Sequence, residues 1–396
     1  MKRLAPLVAV TGSLPLGGSS TFLVNFARAM RRRGMILPII VLDAENVYAE
    51  DFKAIDNPVH CLTNRRLIYE DRLHWSYQQT AQYQPRAVLS CLSPQSFEIL
   101  RVVPHGVLRM SIVQSDDPGP YAAVVAYGEW TDVAIGVSKQ IAAHLQMRPE
   151  LQRARIEEIP YGIDFSDLIV RDPGAPNAPL RVIYLGRLVE EQKRVSRIAQ
   201  LAKMLAAQAA HVEFTIAGDG PQREQLRADL RSCPIVRFLD SVPYDQVAGL
   251  LRDQDIYVLL SDFEGLPLSL LEAMGCGVVP IVSDLASGIS DVVDESRGFR
   301  VPVGNVERVA EIIMELTLNR ANLDGCSEQA ARFVREHYSA DQMAERYCHL
   351  VNTAPQSENW PAKASIPVPR CVSPTWLYGG LPRRARRWMK RLLNAF

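Results

Sequence analysis

Three features that would settle the class of this 396-residue chain are missing from its sequence. No apolar run reaches the roughly 18–20 residues needed to cross a bilayer. No C-x-x-C pair or Cys/His cluster has zinc-finger spacing, and no loop reads G-x-G-x-x-G or G-K-[ST]. We therefore expect no membrane span, structural zinc, dinucleotide fold fingerprint or P-loop. The cysteines are odd in number and scattered, which predicts a reducing compartment: Cys61, Cys91, Cys233, Cys276, Cys326, Cys348 and Cys371.

The first residues also resemble the start of a signal peptide. Met1-Lys2-Arg3 precedes apolar residues, but the apolar run is interrupted at Thr11-Gly12-Ser13 and no A-x-A cleavage pattern follows. We predict a first β-strand there and a cytoplasmic protein, with a secreted protein as the alternative.

Composition indicates a globular chain, with 47% apolar and 22% charged residues, and the length favours two domains. Basic and acidic residues balance overall, yet the last 16 residues hold six basic side chains and no acid: Arg383, Arg384, Arg386, Arg387, Lys390 and Arg391. The body is therefore mildly acidic, which argues against nucleic-acid binding. Residues 381–396 form a basic amphipathic pattern that suits either solvent or an anionic membrane surface, so peripheral association with the inner face of the plasma membrane is one expectation.

Hydrophobic periodicity predicts an α/β protein with two Rossmann-like, doubly wound parallel-sheet domains. The N-terminal βαβ unit has strands at Leu7–Val10 and Ile36–Leu42 around a helix at about Thr21–Arg33. A second series follows a proline-containing stretch, with strands at Arg181–Leu185, Glu213–Ala217, Val236–Leu239, Ile256–Leu260 and Val278–Val282. The predicted organisation is a domain over 1–168, a linker over 169–179, a domain over 180–338, a helix over 339–352 that crosses back, a poorly ordered Pro/Ser-rich stretch over 353–380, and the tail.

The window from Ser261 to Gly277 lies between two predicted strands and contains two glutamates. Glu264 falls in the loop that follows a strand, and Glu272 falls in a helix bounded by Pro267 and Gly275. The unpaired N–H groups at the start of this helix suit a phosphate, and they belong to Leu268 and Ser269. Two glutamates near a helix often form a solvated face. Glu272 has apolar neighbours, however, and a buried carboxylate is costly unless it is bound, which favours a site.

This window resembles the Glu-x7-Glu signature of the retaining nucleotide-sugar glycosyltransferases of family 4, also called glycosyl transferases group 1. Four other segments resemble that family in the same order. They are Val137-Ser138-Lys139, Ile159-Pro160-Tyr161-Gly162-Ile163-Asp164 with tyrosine in place of asparagine, Gly186-Arg187-Leu188 followed by Lys193, and Gly218-Asp219-Gly220-Pro221. The agreement extends from about residue 5 to 352.

The resemblance implies a GT-B fold, in which an N-terminal acceptor-side domain and a C-terminal nucleotide-sugar domain face a central cleft. It also implies that Arg187 and Lys193 bind the donor diphosphate, that Glu264 faces the donor sugar, and that Glu272 binds the ribose hydroxyls. Either cation alone would more often be a surface residue. The remaining donor-site residues implied are Gly265, Leu266, Leu268 and Ser269 of the window, and Gly17 and Gly18, for which an ordinary βα turn is the alternative.

The chain departs from the family after the strand at Arg109–Val113. Many members have a histidine there, near the reacting carbon, whereas this sequence reads Gln114-Ser115-Asp116-Asp117. Asp116 or Gln114 is the candidate replacement, and a helix cap or turn is the alternative for this stretch. We count Asp116 among the predicted catalytic residues, with Glu264, Arg187 and Lys193.

No metal or cofactor is expected. Asp253-Gln254-Asp255 has the spacing of a metal-binding pair, but it precedes a strand where such a pair should follow one. The predicted function is therefore metal-independent transfer of a hexose-type unit from a UDP- or GDP-sugar to a glycan or glycolipid acceptor, in cell-surface polysaccharide or glycoconjugate synthesis. The alternatives are a non-transferring sugar-nucleotide-binding protein or partner subunit on the same fold, and a nicotinamide-dependent oxidoreductase, which would need the missing glycine fingerprint.

Overall fold

The computed structural model describes residues 5–15, 17–43, 48–63, 67–91, 93–166, 168–173, 175, 177–353 and 360–361. The chain divides into two compact units, one formed by residues 1–160 with 343–396 and the other by residues 161–342. We call them unit 1 and unit 2. Within the predicted Pro/Ser-rich stretch only residues 353, 360 and 361 are described, and the predicted basic tail lies outside the described residues.

Unit 1 is built on a parallel sheet of seven strands within the described ranges. The strands are β1 (Leu7–Thr11), β2 (Ile39–Val41), β3 (Val59–Cys61), β4 (Ala87–Cys91), β5 (Leu108–Val113), β6 (Val133–Gly136) and β7 (Arg155–Glu158). Their order across the sheet is β3-β2-β1-β4-β5-β6-β7. The direction of winding therefore reverses between β1 and β4, which defines a doubly wound sheet.

Helices cover the sheet of unit 1 because its central strands are apolar on both faces and must be buried. They are α1 (Gly18–Arg32), α2 (Ala49–Ala54), α3 (Tyr69–Ala81), α4 (Pro94–Phe97), α5 (Pro118–Ala126) and α6 (Lys139–Gln146), with short 3-10 helices at Glu98–Arg101, Gly128–Trp130 and Pro149–Leu151. The aromatic rings of Phe22 and Phe26 in α1 pack against Tyr347, with centroids 6.4 and 4.6 Å apart. This contact attaches the last described helix to unit 1.

Unit 2 repeats the design with six parallel strands in its described part. The strands are β8 (Leu180–Leu185), β9 (Val212–Ala217), β10 (Val236–Leu239), β11 (Ile256–Leu259), β12 (Val279–Ser283) and β13 (Phe299–Val301). Their order is β10-β9-β8-β11-β12-β13, so the winding reverses between β8 and β11. The predicted fold class of two doubly wound parallel-sheet domains is confirmed.

The helices of unit 2 alternate with its strands, and the final helix leaves the unit. They are α7 (Glu190–Lys193), α8 (Val195–Ala207), α9 (Arg223–Asp229), α10 (Tyr244–Arg252), α11 (Leu268–Gly275), α12 (Gly288–Val292), α13 (Val306–Leu318), α14 (Arg320–His337) and α15 (Ala340–Thr353). From Met343 onward α15 belongs to unit 1. No helix in the described ranges is long and apolar enough to cross a membrane.

The first unit ends at Pro160, eight residues before the predicted boundary at 168. Residues from 161 onward belong to unit 2 because they bond to the end of α14. The Ile163 N–H donates to the Tyr338 carbonyl at 2.8 Å, and the Ala340 N–H donates to the Ile163 carbonyl at 2.9 Å. Gly162 permits this approach, since a Cβ at that position would lie 2.5 Å from Ala340 Cα.

The segment predicted as a linker is also tied to unit 2, through a buried arginine. Arg171 donates from Nη1 to Asp255 Oδ1 at 2.8 Å and from Nε to Ser327 Oγ at 3.0 Å, and it pairs with Asp324. Its side chain is only 2% exposed. The proline-rich composition of this segment indicated a linker. Composition does not report contacts with residues far along the chain, so the contacts of Arg171 could not be predicted from it.

Candidate functional site

The winding of unit 2 reverses between β8 and β11, and two of the predicted motifs of unit 2 follow the carboxyl ends of these strands. Gly186-Arg187-Leu188 follows β8, and Ser261 to Glu264 follow β11. Neighbouring loops at such a reversal diverge to opposite sides of the sheet and leave a crevice, which is where open α/β sheets bind ligands.

The turn after β9 supports the loop after β8. The Leu188 N–H donates to the Asp219 carbonyl at 2.8 Å, and the Gln222 N–H donates to the Leu188 carbonyl at 3.1 Å. Gly218 has φ +142°, and a Cβ there would overlap the carbonyl oxygen of Gly186. The loop after β8, which contains Gly186, and the turn after β9, which contains Gly218, thus contact each other through their backbones. This contact fixes the main chain of Arg187.

We expect Gly218→Ala to lower the free energy of unfolding by about 3 kcal/mol or more, because the new Cβ combines an unfavourable φ with a steric overlap. Gly249→Ala is the matched control, since a Cβ at this position in α10 meets nothing within 4 Å. That change should instead raise the free energy of unfolding by about 0.5–1 kcal/mol. Urea denaturation of the three proteins measures both, and similar midpoints for the two variants would contradict the packing argument.

Glu264 lies buried in a network of donors at the end of β11. Its Oε1 accepts from Lys193 Nζ at 2.6 Å and from Ser261 Oγ at 2.7 Å, and its Oε2 accepts from Gln192 Nε2 at 3.3 Å. The carboxylate thus forms an ion pair with a lysine that is itself buried. The structure therefore brings together Glu264 and Lys193, two of the predicted site residues.

Arg187 is exposed, in contrast to Lys193. Its guanidinium donates from Nη2 to Gln192 Oε1 at 2.9 Å, and its carbonyl accepts from the Tyr184 hydroxyl at 2.7 Å. The main chain of Arg187 is thus held by the protein, while its charge faces solvent. An anion that enters this region meets a fixed cation.

The predicted phosphate-facing helix is α11, which begins at Leu268 with Pro267 as its capping residue rather than its first helical residue. The N–H groups of Leu268 and Ser269 donate to no acceptor among the described residues. The Ser269 hydroxyl bonds to the Tyr257 hydroxyl at 2.8 Å. The remaining predicted residues of this loop are packed: Leu266 is buried, and the Gly265 carbonyl accepts from the Gly288 N–H at 2.7 Å.

Glu272, in the middle of α11, is 9% exposed, and its carboxyl group has no hydrogen-bond partner among the described residues. Its carboxyl group lines a small pocket of unit 2, together with Asp164, Tyr244 and Asp245. Burial raises its pKa from the usual 4.5 to about 7. The predicted burial of Glu272 is confirmed, and its role in binding a ligand stays a prediction.

The raised pKa of Glu272 predicts how stability changes with pH. Between about pH 4.5 and pH 7 the folded chain holds a proton on Glu272 that the unfolded chain releases, so stability falls as pH rises through this window. Glu272→Gln should remove this pH dependence and raise the free energy of unfolding by about 3 kcal/mol above pH 7. Chemical denaturation at a series of pH values measures it. The exposed Glu336→Gln is the control, and equal slopes in wild type and Glu272→Gln would contradict the assignment.

The predicted phosphate-binding glycines of unit 1 lie at the start of α1. Gly17 is the capping residue, with φ 145°, and α1 begins at Gly18. The Gly17 N–H donates to the Tyr48 hydroxyl at 3.1 Å, and the Gly17 carbonyl accepts from Thr21. The Gly17 N–H is therefore already bonded within unit 1. This observation favours the ordinary turn as the role of Gly17, and the role of Gly18 stays a prediction.

Asp116 is held by two residues that the sequence argument did not consider. Its Oδ1 accepts from the Tyr121 hydroxyl at 2.5 Å and lies 3.1 Å from His144 Nδ1. The Asp117 side chain caps α5 by accepting from the Gly119 N–H at 3.1 Å. The helix cap considered for this stretch is thus Asp117, and Asp116 stays a predicted catalytic residue. A histidine does reach this loop in space, from α6.

Asp255 has the spacing from Asp253 of a metal-binding pair, but in the structure it forms ion pairs with arginines. Its side chain is 1% exposed and accepts from Arg171 and from Arg181, whose Nη2 lies 2.8 Å from Oδ1. Asp253, two residues earlier, is exposed beside Arg252. The two carboxylates therefore differ in environment, since Asp255 belongs to a buried ion-pair cluster and Asp253 lies at the surface. The described residues contain no group of three His, Cys, Asp or Glu side chains that could hold a metal ion.

Besides Tyr121, three residues around the predicted sites were not predicted from the sequence. Gln192 and Ser261 both donate to Glu264, and His144 contacts Asp116. Ser261 and Gln192 stand next to recognised motifs, so proximity to the motifs is a signal that could have found them. For His144, which lies 28 residues after Asp116, the sequence offers no such signal.

Comparison with known proteins connects this site to a family. Residues 166–335 match the family model of glycosyl transferases group 1. The amylovoran biosynthesis glycosyltransferase AmsK of Erwinia amylovora is 31% identical over 169 residues, which are 40% of this chain and 40% of AmsK. The lipopolysaccharide 1,6-galactosyltransferase of Salmonella typhimurium is 29% identical over 184 residues, 45% of this chain and 49% of that protein. The chain matches about half or less of the length of these curated relatives.

Solved structures resemble the chain over most of its length. Anabaena HepE in complex with UDP-glucose has a TM-score of 0.72 at 15% identity and covers 88% of this chain and 99% of HepE. A mutant of S. aureus TarM in complex with UDP has a TM-score of 0.71 at 13% identity and covers 88% of this chain and 100% of TarM. Residues 166–335 thus match the glycosyl transferases group 1 family, and the chain has the GT-B fold of these structures.

Proposed function

We propose that this chain is a retaining, metal-independent glycosyltransferase of family 4, which transfers a hexose-type unit from a UDP- or GDP-sugar to a glycan or glycolipid. The observation that carries the proposal is the arrangement at the carboxyl ends of β8 and β11. An exposed Arg187, a paired Lys193 and Glu264, and the open N–H groups of α11 lie there within the segment matched by the family model.

Departure of a nucleoside diphosphate builds negative charge on its phosphates, and fixed cations and N–H groups can stabilise that charge. Arg187 would supply an exposed cation, and the N–H groups of Leu268 and Ser269 would supply neutral donors at a helix start. Lys193 already forms an ion pair with Glu264. Its contribution would therefore depend on whether its ammonium group also contacts the donor phosphates. We expect front-face attack, in which the leaving phosphate helps to deprotonate the acceptor.

Glu272 would bind the ribose hydroxyls. Hydroxyl groups that donate to a carboxylate stabilise its ionised form, so a bound nucleotide should lower the pKa of Glu272 from about 7. Nucleotide affinity should therefore increase as pH rises from about 5 to 8. The position of Glu272 at a small pocket of unit 2 supports this role.

The proposed acceptor follows from the processes in which two relatives act. AmsK acts in amylovoran biosynthesis and the Salmonella relative is a lipopolysaccharide galactosyltransferase, which favours a cell-surface polysaccharide or glycolipid acceptor for this chain. HepE was crystallised with UDP-glucose, which favours a UDP-sugar among the candidate donors. The basic sequence of residues 381–396 fits a cytoplasmic enzyme that associates with an anionic membrane surface. Unchanged binding to anionic vesicles after deletion of residues 379–396 would remove the membrane part.

A thermal-shift panel of UDP-, GDP- and ADP-sugars, followed by transfer and donor-hydrolysis assays in EDTA, tests the proposal. One donor should stabilise the chain and be turned over, and Glu272→Ala should abolish both effects. Nucleotide binding without turnover on any acceptor would favour the alternative, a non-transferring sugar-nucleotide binder. Absence of stabilisation by every donor would remove both readings.

A further inference from the structure

Gln192 connects the exposed cation of the site to its buried carboxylate. Its Oε1 accepts from Arg187 Nη2 at 2.9 Å, and its Nε2 donates to Glu264 Oε2 at 3.3 Å and to the Phe263 carbonyl at 3.2 Å. The amide oxygen of Gln192 therefore bonds to a basic residue, and its amide nitrogen bonds to an acidic one. No other described side chain links Arg187 to Glu264 in this way.

The backbone around Gln192 is fixed independently of its side chain. The Gln192 carbonyl accepts from the Asp262 N–H at 3.0 Å. The Asp262 carboxylate in turn pairs with Arg194 and Arg197, at 2.5 and 2.6 Å. The short helix α7 is thus attached to the loop after β11 by contacts that would survive removal of the Gln192 side chain.

The chemistry of the two neighbours selects an amide at this position. Arg187 needs an acceptor, whereas Glu264 and the Phe263 carbonyl need a donor. A glutamate would repel Glu264, and a lysine would repel Arg187. Only a neutral group with an acceptor at one end and a donor at the other satisfies both, and glutamine has that arrangement at the required length.

We propose that Gln192 is a positioning residue, which holds the Arg187 guanidinium ready for the donor diphosphate. The inference rests on the proposed function. An exposed arginine explores many rotamers, and ordering it on binding costs affinity. A charge-assisted hydrogen bond from Arg187 to a fixed amide restricts the guanidinium beforehand. Removal of the amide should therefore weaken the contact with phosphates and leave the contacts with the nucleoside unchanged.

The test compares a nucleoside diphosphate with its nucleoside by calorimetry, using UDP against uridine and GDP against guanosine. In Gln192→Ala, and in Gln192→Met, which keeps the length of the side chain, the affinity for the diphosphate should fall about tenfold while the affinity for the nucleoside stays the same. Gln200→Ala is the matched control, because its side chain bonds to the exposed Glu307 away from the site. It should change neither affinity.

A double-mutant cycle supplies the second readout. If Gln192 acts through Arg187, then Gln192→Ala should have little further effect on diphosphate affinity in an Arg187→Ala background. Equal losses for nucleoside and diphosphate, or additive losses in the cycle, would show a general structural role and overturn the inference. A wild-type chain that binds neither diphosphate would overturn the proposed function as well, whereas wild-type binding with unchanged affinity in both Gln192 variants would overturn the inference alone.

Discussion

Glu264→Gln is expected to lower sugar transfer by about 10²–10³-fold, the size of effect found when one preorganised electrostatic contact of an active site is removed. Glutamine keeps the shape of the side chain but removes its charge. Lys193, which is buried and bonds to Glu264 at 2.6 Å, then loses its counter-ion. The ammonium group then lacks its carboxylate partner, so the charge that the site presents to the donor changes.

The measurement is the steady-state rate with the donor identified by thermal shift, in wild type and variant at equal concentration of folded protein. Glu307→Gln is the matched control, because Glu307 lies in the same unit, carries the same charge and accepts a hydrogen bond only at the exposed surface. Its rate should equal that of wild type. A Glu264→Gln enzyme with an unchanged rate would show that Glu264 is only a structural partner of Lys193.

Asp255→Ala is expected to lower the free energy of unfolding by about 3–5 kcal/mol, which is the usual cost of removing one partner of a buried ion pair. Asp255 accepts from both Arg171 and Arg181, and the side chain of Arg171 is 2% exposed. Without the carboxylate, the buried guanidinium of Arg171 keeps Asp324 as its remaining acid, and that residue is about half exposed. The segment that contains Arg171 should detach from unit 2.

Urea denaturation and limited proteolysis near residue 171 measure this effect. Asp253→Ala provides the control within the same three residues, since Asp253 is 63% exposed and pairs with the surface residue Arg252. Its free energy of unfolding should stay within about 0.5 kcal/mol of wild type. Equal destabilisation by the two alanine variants would contradict the assignment of Asp255 to the fold, and loss of activity without loss of stability would reopen the question of a metal-binding pair.

The strands in the middle of each sheet could be predicted from the sequence, whereas three of the four edge strands could not; the fourth, β10, was predicted at Val236–Leu239. Central strands such as β4 and β11 are buried on both faces, so they form continuous apolar runs. The strands β3, β7 and β13 lie at sheet edges, have three or four residues and are partly exposed. A short segment that is exposed on one side has no apolar run to detect, so all three were missed.

Individual residues of the candidate site could be predicted from short motifs, whereas the contacts that join distant residues could not. Glu264 and Glu272 were recognised from a single window. The bond from Lys193 to Glu264 joins residues 71 positions apart, and the contact between His144 and Asp116 joins residues 28 apart. Periodicity and motif spacing report on neighbours along the chain, so these partners become visible only once the strands are placed side by side.

The pairing of Ile163 with Ser339 has a consequence for the architecture of the gene. Because the first and last residues of unit 2 are neighbours in space, residues 161–342 have the topology of a domain inserted into another domain. Such an insertion can be excised as a contiguous coding segment, expressed alone, or circularly permuted by a short connection between its ends. The predicted donor-site residues of unit 2 would be contained in that segment, so the part of the chain proposed to bind the nucleotide could be separated by one cut at each side of this pairing.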